Sequence, residues 1–564
     1  MKKLLLLVFV FFTVFPVVAQ KKNDDRPNIL WLTCEDISPY LDMYGDSTAH
    51  TPNLDQLAKE GIVFDNVFAV VPVCAPSRSD IITGMYPTSI GTMHMRTAHD
   101  VHSWGKRDYS GPSIAVDING NKVPLYSAVI PPYVKCFPEY LRKAGYYCTN
   151  NDKTDYQFAA PVTAWDENNK KAEWKHAPKG MPFFSVYNHF VTHESQIWKR
   201  KNKPQTVSPD SVPLPSYFPD DSIVRQDVAR NYSNIEVLDK QIGEKIRALK
   251  KAGLYDKTII FFFSDHGGPL PRGKRVNYES GLHVPFIVRI PPRYMKKYGP
   301  GPGKIKNGHV SELISFVDLA PTVLSIAGVP IPAYMQGQAF LGPQRAKTER
   351  KYIFASGDRY DGITDRNRVV RDHRYMYVRN YHTNLPCYKD IKYRKQMDMM
   401  RDMLRLMQLG RLNKDQLYWF RLQKVPEELY DIKNDPETLH NLIDDPKYKA
   451  KIAELRKAMD NWQARVGDMG SIPEKEMFLQ MWPKGIQPVT DRVHITKKGR
   501  MVTLSCDTKG ASIAYLISDK DFKPGLNAGW KVYDQPLVIP KGKYLYTMGT
   551  RIGYKDSEIG KMKF

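Results

Sequence analysis

Four stretches of this chain are apolar almost without interruption: residues 28–33, 64–71, 181–187 and 258–263. A strand with one wet face alternates polar and apolar positions, whereas a strand covered on both faces reads as a continuous apolar run. Each stretch therefore predicts a strand inside a mostly parallel sheet. Between them the period changes. Ile235, Leu238, Ile242, Ile246 and Leu249 recur at three- and four-residue spacing, the apolar stripe of an amphipathic helix. Pro52 opens another helix, in whose first turn a missing N–H costs nothing. Strands alternating with helices predict an α/β fold, a mostly parallel central sheet flanked by helices.

Downstream the pattern is mixed. Residues 375–379 read as a strand and 449–462 as a closing helix. Residues 394–409 read as an amphipathic helix whose Met397, Met399, Met400, Met403 and Met407 fit packing. The stretch from Pro473 to Pro488 reads as a linker. Short alternating runs at 501–505, 512–517 and 543–548, separated by turns, predict a small β-sandwich, and residues 504–511 resemble the immunoglobulin-like C-terminal modules of secreted hexosaminidases, which implies an appended module with a packing or spacer role. The expected division is a large α/β domain over 21–350, a smaller α+β subdomain over 351–472, a linker over 473–488 and the sandwich over 489–564.

Residues 1–20 are set apart. Lys2 and Lys3 precede an apolar run at 4–15, and Val17-Val18-Ala19 offers small residues for cleavage, the pattern of a secretory signal peptide too short to span a bilayer. A periplasmic or secreted protein is expected, with no integral membrane segment once matured. Lysine and arginine total 83 against 60 acidic residues, a formal charge of +23. Such a balance draws anionic partners. For an exported protein, an acidic polymer such as a sulfated or uronic glycan is a better candidate than nucleic acid. Six cysteines, at 34, 74, 136, 148, 387 and 506, show no paired spacing and no Cys-x-x-Cys.

Candidate chemistry gathers where the apolar runs stop. The first ends at Glu35-Asp36, and hard oxygen ligands at the carboxyl end of a buried strand suit Ca²⁺ or Mg²⁺. The second delivers Cys74, four residues before Arg78, at the start of a helix whose N-terminal partial charge favours an anionic sulfur. The third leads to His189 and His193, and the fourth ends at Asp265-His266. Taken singly, Cys74 reads as a buried structural thiol, and Glu35-Asp36 reads equally as a cation site or as an acidic surface turn. Four strand ends with one kind of chemistry make a site along one sheet edge.

Cys74-Ala75-Pro76-Ser77-Arg78 resembles the Cys-x-Pro-x-Arg signature of the formylglycine-dependent sulfatases of the alkaline phosphatase superfamily. Thr83-Gly84-Met85-Tyr86-Pro87 resembles the second half of that signature, and the likeness extends to residues 315–322 and to Leu429-Tyr430-Asp431. It runs from about residue 27 to about 462, and proteins similar to N-sulfoglucosamine sulfohydrolase fall within it. The resemblance implies an alkaline phosphatase-like fold and a separate maturation enzyme that oxidises Cys74 to formylglycine. The aldehyde hydrate then attacks sulfur and later expels sulfate. It also implies one divalent ion, Ca²⁺ before Mg²⁺, held by Glu35, Asp36, Asp265 and His266, with Cys74 in the same ligand set.

In the same resemblance Arg78 holds the formylglycine, Lys153 and Lys274 bind sulfate, and His193 protonates the leaving oxygen. Glu35 stands where relatives usually present Asp. Asp155 stands where many present His, and is either the base or a contact to sugar. His94, Arg96, Arg371 and His382 are the candidates for reaching the substrate. Two other readings compete: a phosphoester hydrolase of the same superfamily, normally with a Ser or Thr nucleophile and two zinc ions, and a non-catalytic sulfated-glycan-binding protein in which Cys74 stays a thiol.

Overall fold

A computed structural model describes residues 25–564. The signal-peptide reading at residues 1–20 lies outside the described residues. The central sheet is built from β1 (Asn28–Cys34), β2 (Ile62–Phe68), β3 (Tyr147–Asn151), β4 (Glu167–Asn168), β5 (Phe183–His189), β6 (Thr258–Ser264), β7 (Phe286–Arg289) and β8 (His309–Ser315). Their spatial order is β4-β3-β5-β1-β6-β7-β2-β8. Strands β4, β3, β5, β1 and β6 run parallel, and β7 is antiparallel to both of its neighbours.

Side chains alternate across a strand, so a run apolar at every position supplies two cores. Ile29 and Trp31 join Phe184, Val186, Ile259, Phe261 and Phe263 on one face. Leu30 and Leu32 join Phe183, Tyr187, Ile260 and Phe262 on the other. The second face is closed by α1 (Pro52–Lys59) and by the 30-residue helix Ser222–Lys251, whose Asp221 side chain accepts from the Ile223 and Val224 N–H groups. Its stripe of Val224, Val228, Ile235, Leu238, Ile242, Ile246 and Leu249 is buried as the spacing predicts. The other notable helix, α2 (Cys74–Thr83), is buried along its whole length and has no face open to solvent. It is a structural insert into the molecule, carrying its polar residues inward.

A second, antiparallel sheet of order β12-β11-β10-β9 comprises β9 (Ile353–Tyr360), β10 (Ile363–Arg371), β11 (Tyr375–Asn380) and β12 (Glu427–Asp431). The helix Lys449–Val466 covers it, with the Trp462 ring stacked 5.0 Å from Phe354. Met399, Met400 and Met403 of the helix Asp398–Gln408 pack beside the long helix.

The stretch expected as a linker is folded instead. Residues 474–481 form the helix Glu474–Met481, with Glu474, Met477, Phe478 and Met481 buried. The Glu474 carboxylate bonds the Arg359 guanidinium, Nη2 to Oε1 at 2.8 Å, and accepts from the Tyr126 hydroxyl at 3.1 Å. Two turns of apolar side chains and one buried ion pair tie down what composition marks as a connector.

After it come a three-stranded and a four-stranded antiparallel sheet, β13 to β19, between residues 494 and 563. Val493, Val502, Leu504, Ile539 and Leu545 form an apolar cluster shared by the two. The module is not merely appended: Ala514, Trp530, Met548 and Ile552 belong to the same apolar cluster as Ile130, Val134 and the central sheet. All six cysteines are free thiols. Among the described residues no helix is long and apolar enough to cross a membrane.

Candidate active site

Register builds the site. Cys34 pairs with Ser264 of β6 on one side and with His189 of β5 on the other, so the residues that follow β1 and β6 leave the sheet side by side at its carboxyl edge. The Asp265 N–H donates to the Cys34 carbonyl at 3.1 Å, and the Ile37 N–H donates to Ser264 Oγ at 2.9 Å. Asp36 turns there with φ of +53°, a left-handed conformation costly for a non-glycine residue, which brings its carboxylate back over the strand ends. The α2 N-terminus meets them from the side: Ser77 Oγ donates to the Asp265 carbonyl at 2.6 Å.

Cys74 sits at the first position of α2, wholly buried. Its Sγ lies 3.3 Å from His266 Nε2, 3.9 Å from Glu35 Oε2 and 4.0 Å from Asp36 Oδ1. Three cations face the carboxylates. Arg78 donates to Asp265 Oδ2 at 3.0 Å, to Glu35 Oε1 at 3.3 Å and to Asn188 Oδ1 at 2.7 Å. Lys153 Nζ lies 2.7 Å from Glu35, and Lys274 Nζ lies 2.8 Å from Asp36 Oδ2. The residues expected as metal ligands and anion holders thus converge on one point.

The electrostatics follow from burial and pairing together. Burial opposes the charge of Asp36, but Lys274, His193 and His266 overcome it and hold the carboxyl well below the usual range. Burial likewise opposes a charged His266, yet Asp265 and Asp36 raise it to about 10. Groups so placed fit a divalent cation. Ligand atoms of Glu35, Asp36, Cys74 and His193, and of Cys74, Asp265 and His266, lie within 4.8 Å of one another in two overlapping groups. Glu35, Asp36 and Asp265 balance Arg78, Lys153 and Lys274, and His266 adds a fourth positive charge that it must give up as a proton to ligate a metal, so a 2+ ion and a 2− oxyanion can enter together once His266 is neutral.

His193 lies after the end of β5. The Ser195 backbone N–H reaches its Nδ1 at 3.2 Å, so the neutral ring carries its proton on Nε2, which points at Glu35 from 3.9 Å. Burial and the Lys274 charge push this imidazole well below its ordinary value, so titration near neutrality is not its state here. The Phe190 ring stacks on it at 4.6 Å, and Tyr393 stands edge-on at 6.4 Å.

Asp155 is not placed as a base. Arg96 Nη2 donates to its Oδ2 at 2.8 Å, and Lys153 Nζ is 3.7 Å away. Burial opposes its charge, but Arg96 and Lys153 hold the carboxyl at about 2, too weak a base to take a proton near neutral pH. Its contacts make it the residue that positions Lys153 and Arg96. Arg96 itself is 35% exposed beside the cluster, a suitable place to meet substrate.

The other candidates lie elsewhere. His94 is buried 3.8 Å from Glu474. Arg371 pairs with Glu279 at 2.7 Å and lies over the Phe68 ring, a packing role that corrects the expectation of a sugar contact. His382 is half-buried near Asp365, Lys424 and Arg366, not among the groups that converge on Cys74. Four residues were missed: Asn188, Glu194, Arg275 and Asp361. Glu194 takes both Arg275 nitrogens, at 2.7 and 2.8 Å, and lies 3.4 Å from Lys274, while Asp361 takes Arg275 Nε at 2.8 Å. Adjacency of Glu194 to His193 and of Arg275 to Lys274 was the only signal for two of them.

The chain matches the sulfatase family over residues 27–329 and the C-terminal region of N-sulphoglucosamine sulphohydrolase over residues 272–409. An ulvan-active sulfatase of Formosa agariphila is 42% identical, across 96% of this chain and 92% of its own length. The human N-sulphoglucosamine sulphohydrolase is 25% identical, across 78% of this chain and 91% of its own. A structure solved in complex with its substrate D-glucosamine-2-N,6-O-disulfate superposes with a TM-score of 0.54 at 19% identity, covering 80% of this chain and 100% of that one. The fold is therefore the alkaline phosphatase-like one of the sulfatases. The chain belongs to the sulfatase family and is a sulfuric ester hydrolase.

Proposed function

We propose that this sulfatase removes sulfate from a polysaccharide of the ulvan type, working outside the cytoplasm in the periplasm or beyond the cell. What carries the substrate is the 42% identity to an ulvan-active sulfatase across nearly the whole chain. The strong positive charge agrees with an anionic polymer.

Arg78, Lys153 and Lys274 surround Cys74 and bind the sulfate oxygens. Each is held by a buried carboxylate, so the donors are oriented before substrate arrives, and water has little room to screen them. His193, neutral in the free site, presents an Nε2–H as a hydrogen-bond donor to the leaving oxygen, with the Ser195 N–H fixing that tautomer, and full proton transfer requires the imidazolium that an entering sulfate dianion would favour. Glu194 and Arg275 brace Lys274 from behind. Glu35, Asp36, Asp265 and His266 are the residues that would hold a divalent ion, Ca²⁺ by its preference for hard oxygen ligands. Such an ion supplies Lewis-acid polarisation of the sulfate. Cys74, once converted to formylglycine by a maturation enzyme, supplies the hydroxyl nucleophile.

The test is the mass of the peptide spanning Cys74 after production with a formylglycine-generating enzyme, coupled to desulfation of a panel of defined sulfated oligosaccharides, with Cys74→Ala as control. Loss of sulfur from that peptide together with sulfate release is expected. A retained thiol would leave a glycan-binding protein, and faster turnover of a nitrophenyl phosphate than of the matching nitrophenyl sulfate, run beside the panel, would favour the phosphoester reading.

A further inference from the structure

Beside the catalytic cluster lies an open basin of about 450 Å³, and the two share walls. Asn188, whose side-chain oxygen accepts from Arg78, and Phe190, whose ring stacks on His193, both line it. Its other walls come from two helices. Gln196 stands in the first turn of the short helix Ser195–Lys199 and Arg200 just past its end, and Gln241, Glu244 and Lys245 on the long helix Ser222–Lys251. A volume of this size is ordinary for small-molecule sites, which run to roughly 300–1,000 Å³.

The lining has one chemistry. Phe190 is 42% exposed and offers an apolar face. Arg200 is steadied by Nε donating to Asn234 Oδ1 at 2.9 Å, and Lys245 by the Tyr187 ring 4.3 Å below its Nζ. Both cations are therefore held in place rather than waving in solvent, with Glu244 as the one acid of the lining. An aromatic face, amides and two fixed cations are what a pyranose ring with hydroxyls and an acidic group needs.

We propose that this basin is a second sugar subsite, taking the acidic unit next to the one whose sulfate is removed. The proposal rests on the glycan-sulfatase reading for the identity of its ligand. Phe190 would stand between the two subsites, one face on His193 and the other on the neighbouring sugar. The chain would then recognise at least two units of the polymer.

Binding tests it without turnover. In the full chain carrying Cys74→Ala, size-fractionated ulvan tetrasaccharides are titrated by calorimetry at low salt, with and without Arg200→Gln and Lys245→Gln. Affinity is expected to fall about 10-fold, as for the loss of charge-assisted contacts, while affinity for inorganic sulfate moves less than about two-fold. Lys245→Gln alone, at a part-exposed site, guards against a folding defect, and Arg200→Lys should restore part of the loss. Equal affinity with and without the substitutions, equal losses for tetrasaccharide and sulfate, or no tetrasaccharide binding at all would each overturn the subsite. Should the Cys74 chain release no sulfate while the basin still discriminates, the sulfatase reading falls and the subsite stands.

Discussion

Asp155 shows how far one residue type can mislead at the scale of a single position. It stands where relatives present a His, which made it a candidate base, but the Arg96 guanidinium and Lys153 ammonium keep it ionised down to about pH 2. Its folded value lies below the ordinary one of about 3.9, so the pairing stabilises the fold above about pH 4 and is lost as pH falls through 2. Asp155→Asn is therefore expected to lower kcat/KM about 10- to 100-fold by loosening Lys153, with the acid limb of the pH–rate profile unmoved. A profile that loses its acid limb would make Asp155 the base after all. His193 calls for a different readout. If it protonates the leaving oxygen, His193→Gln should cost about 10²–10⁴-fold on a sugar sulfate and far less on nitrophenyl sulfate, whose leaving group needs no proton. Equal losses on both substrates would assign it to binding. Glu35, Asp36, Asp265 and His266 were legible because a buried strand announces its own end. Asn188, Glu194 and Arg275 were not, because they act on other side chains, and nothing in linear order says which Arg meets which Glu.

At the scale of elements, legibility tracked burial on both faces. The runs that became β1, β5 and β6 had no alternative, since a chain apolar at every position must be covered twice. Helix α2 was readable only from its motif, because a helix buried all round has no stripe to find. The helix Glu474–Met481 was missed for another reason: in eight residues behind Pro473, starting Glu-Lys-Glu, the apolar side chains bunch at 477–479 and 481, too short a run to show a period. What holds it is Glu474, buried against Arg359 and Tyr126. Glu474→Gln leaves the guanidinium in a dry site without its counter-charge and should cost about 3–5 kcal/mol, read by urea denaturation. Burial opposes the Glu474 charge, but Arg359 and His94 depress its value, so the stabilisation is complete above about pH 4.3 and fades as pH falls below it. A loss under about 0.5 kcal/mol would show the segment to be the surface connector its composition suggests.

Over the whole molecule, the C-terminal sheets raise the question of what an appended module is. Their alternating strands were legible, but not that one sheet completes the main core, because side chains that face another part of the chain look no different from those that face their own sheet. Trp530, Met548 and Ile552 share a cluster with Ile130 and Val134, and Ser512 Oγ donates to buried Glu139 at 2.8 Å. Lys135 Nζ donates to the Gly510 carbonyl at 2.7 Å, and Trp104 Nε1 donates to Asn527 at 2.8 Å. That last bond matters for the site. Trp104 follows Ser103, whose N–H donates to the Asp152 carbonyl at 2.7 Å, one residue before Lys153, and the Thr154 N–H donates to the Val101 carbonyl at 2.9 Å. The module thus braces the loop that lies against the Lys153 segment. A chain ended after residue 488 would expose an apolar face of the main core and release that loop, so it should aggregate or unfold, and the intact protein should melt in one calorimetric transition. A truncated chain that stays soluble with undiminished turnover, or two separated transitions in the intact one, would make the module an independent passenger. Asn527→Ala separates the two roles: it leaves the shared core in place, so a drop in kcat without a drop in Tm would trace the effect to the loop alone.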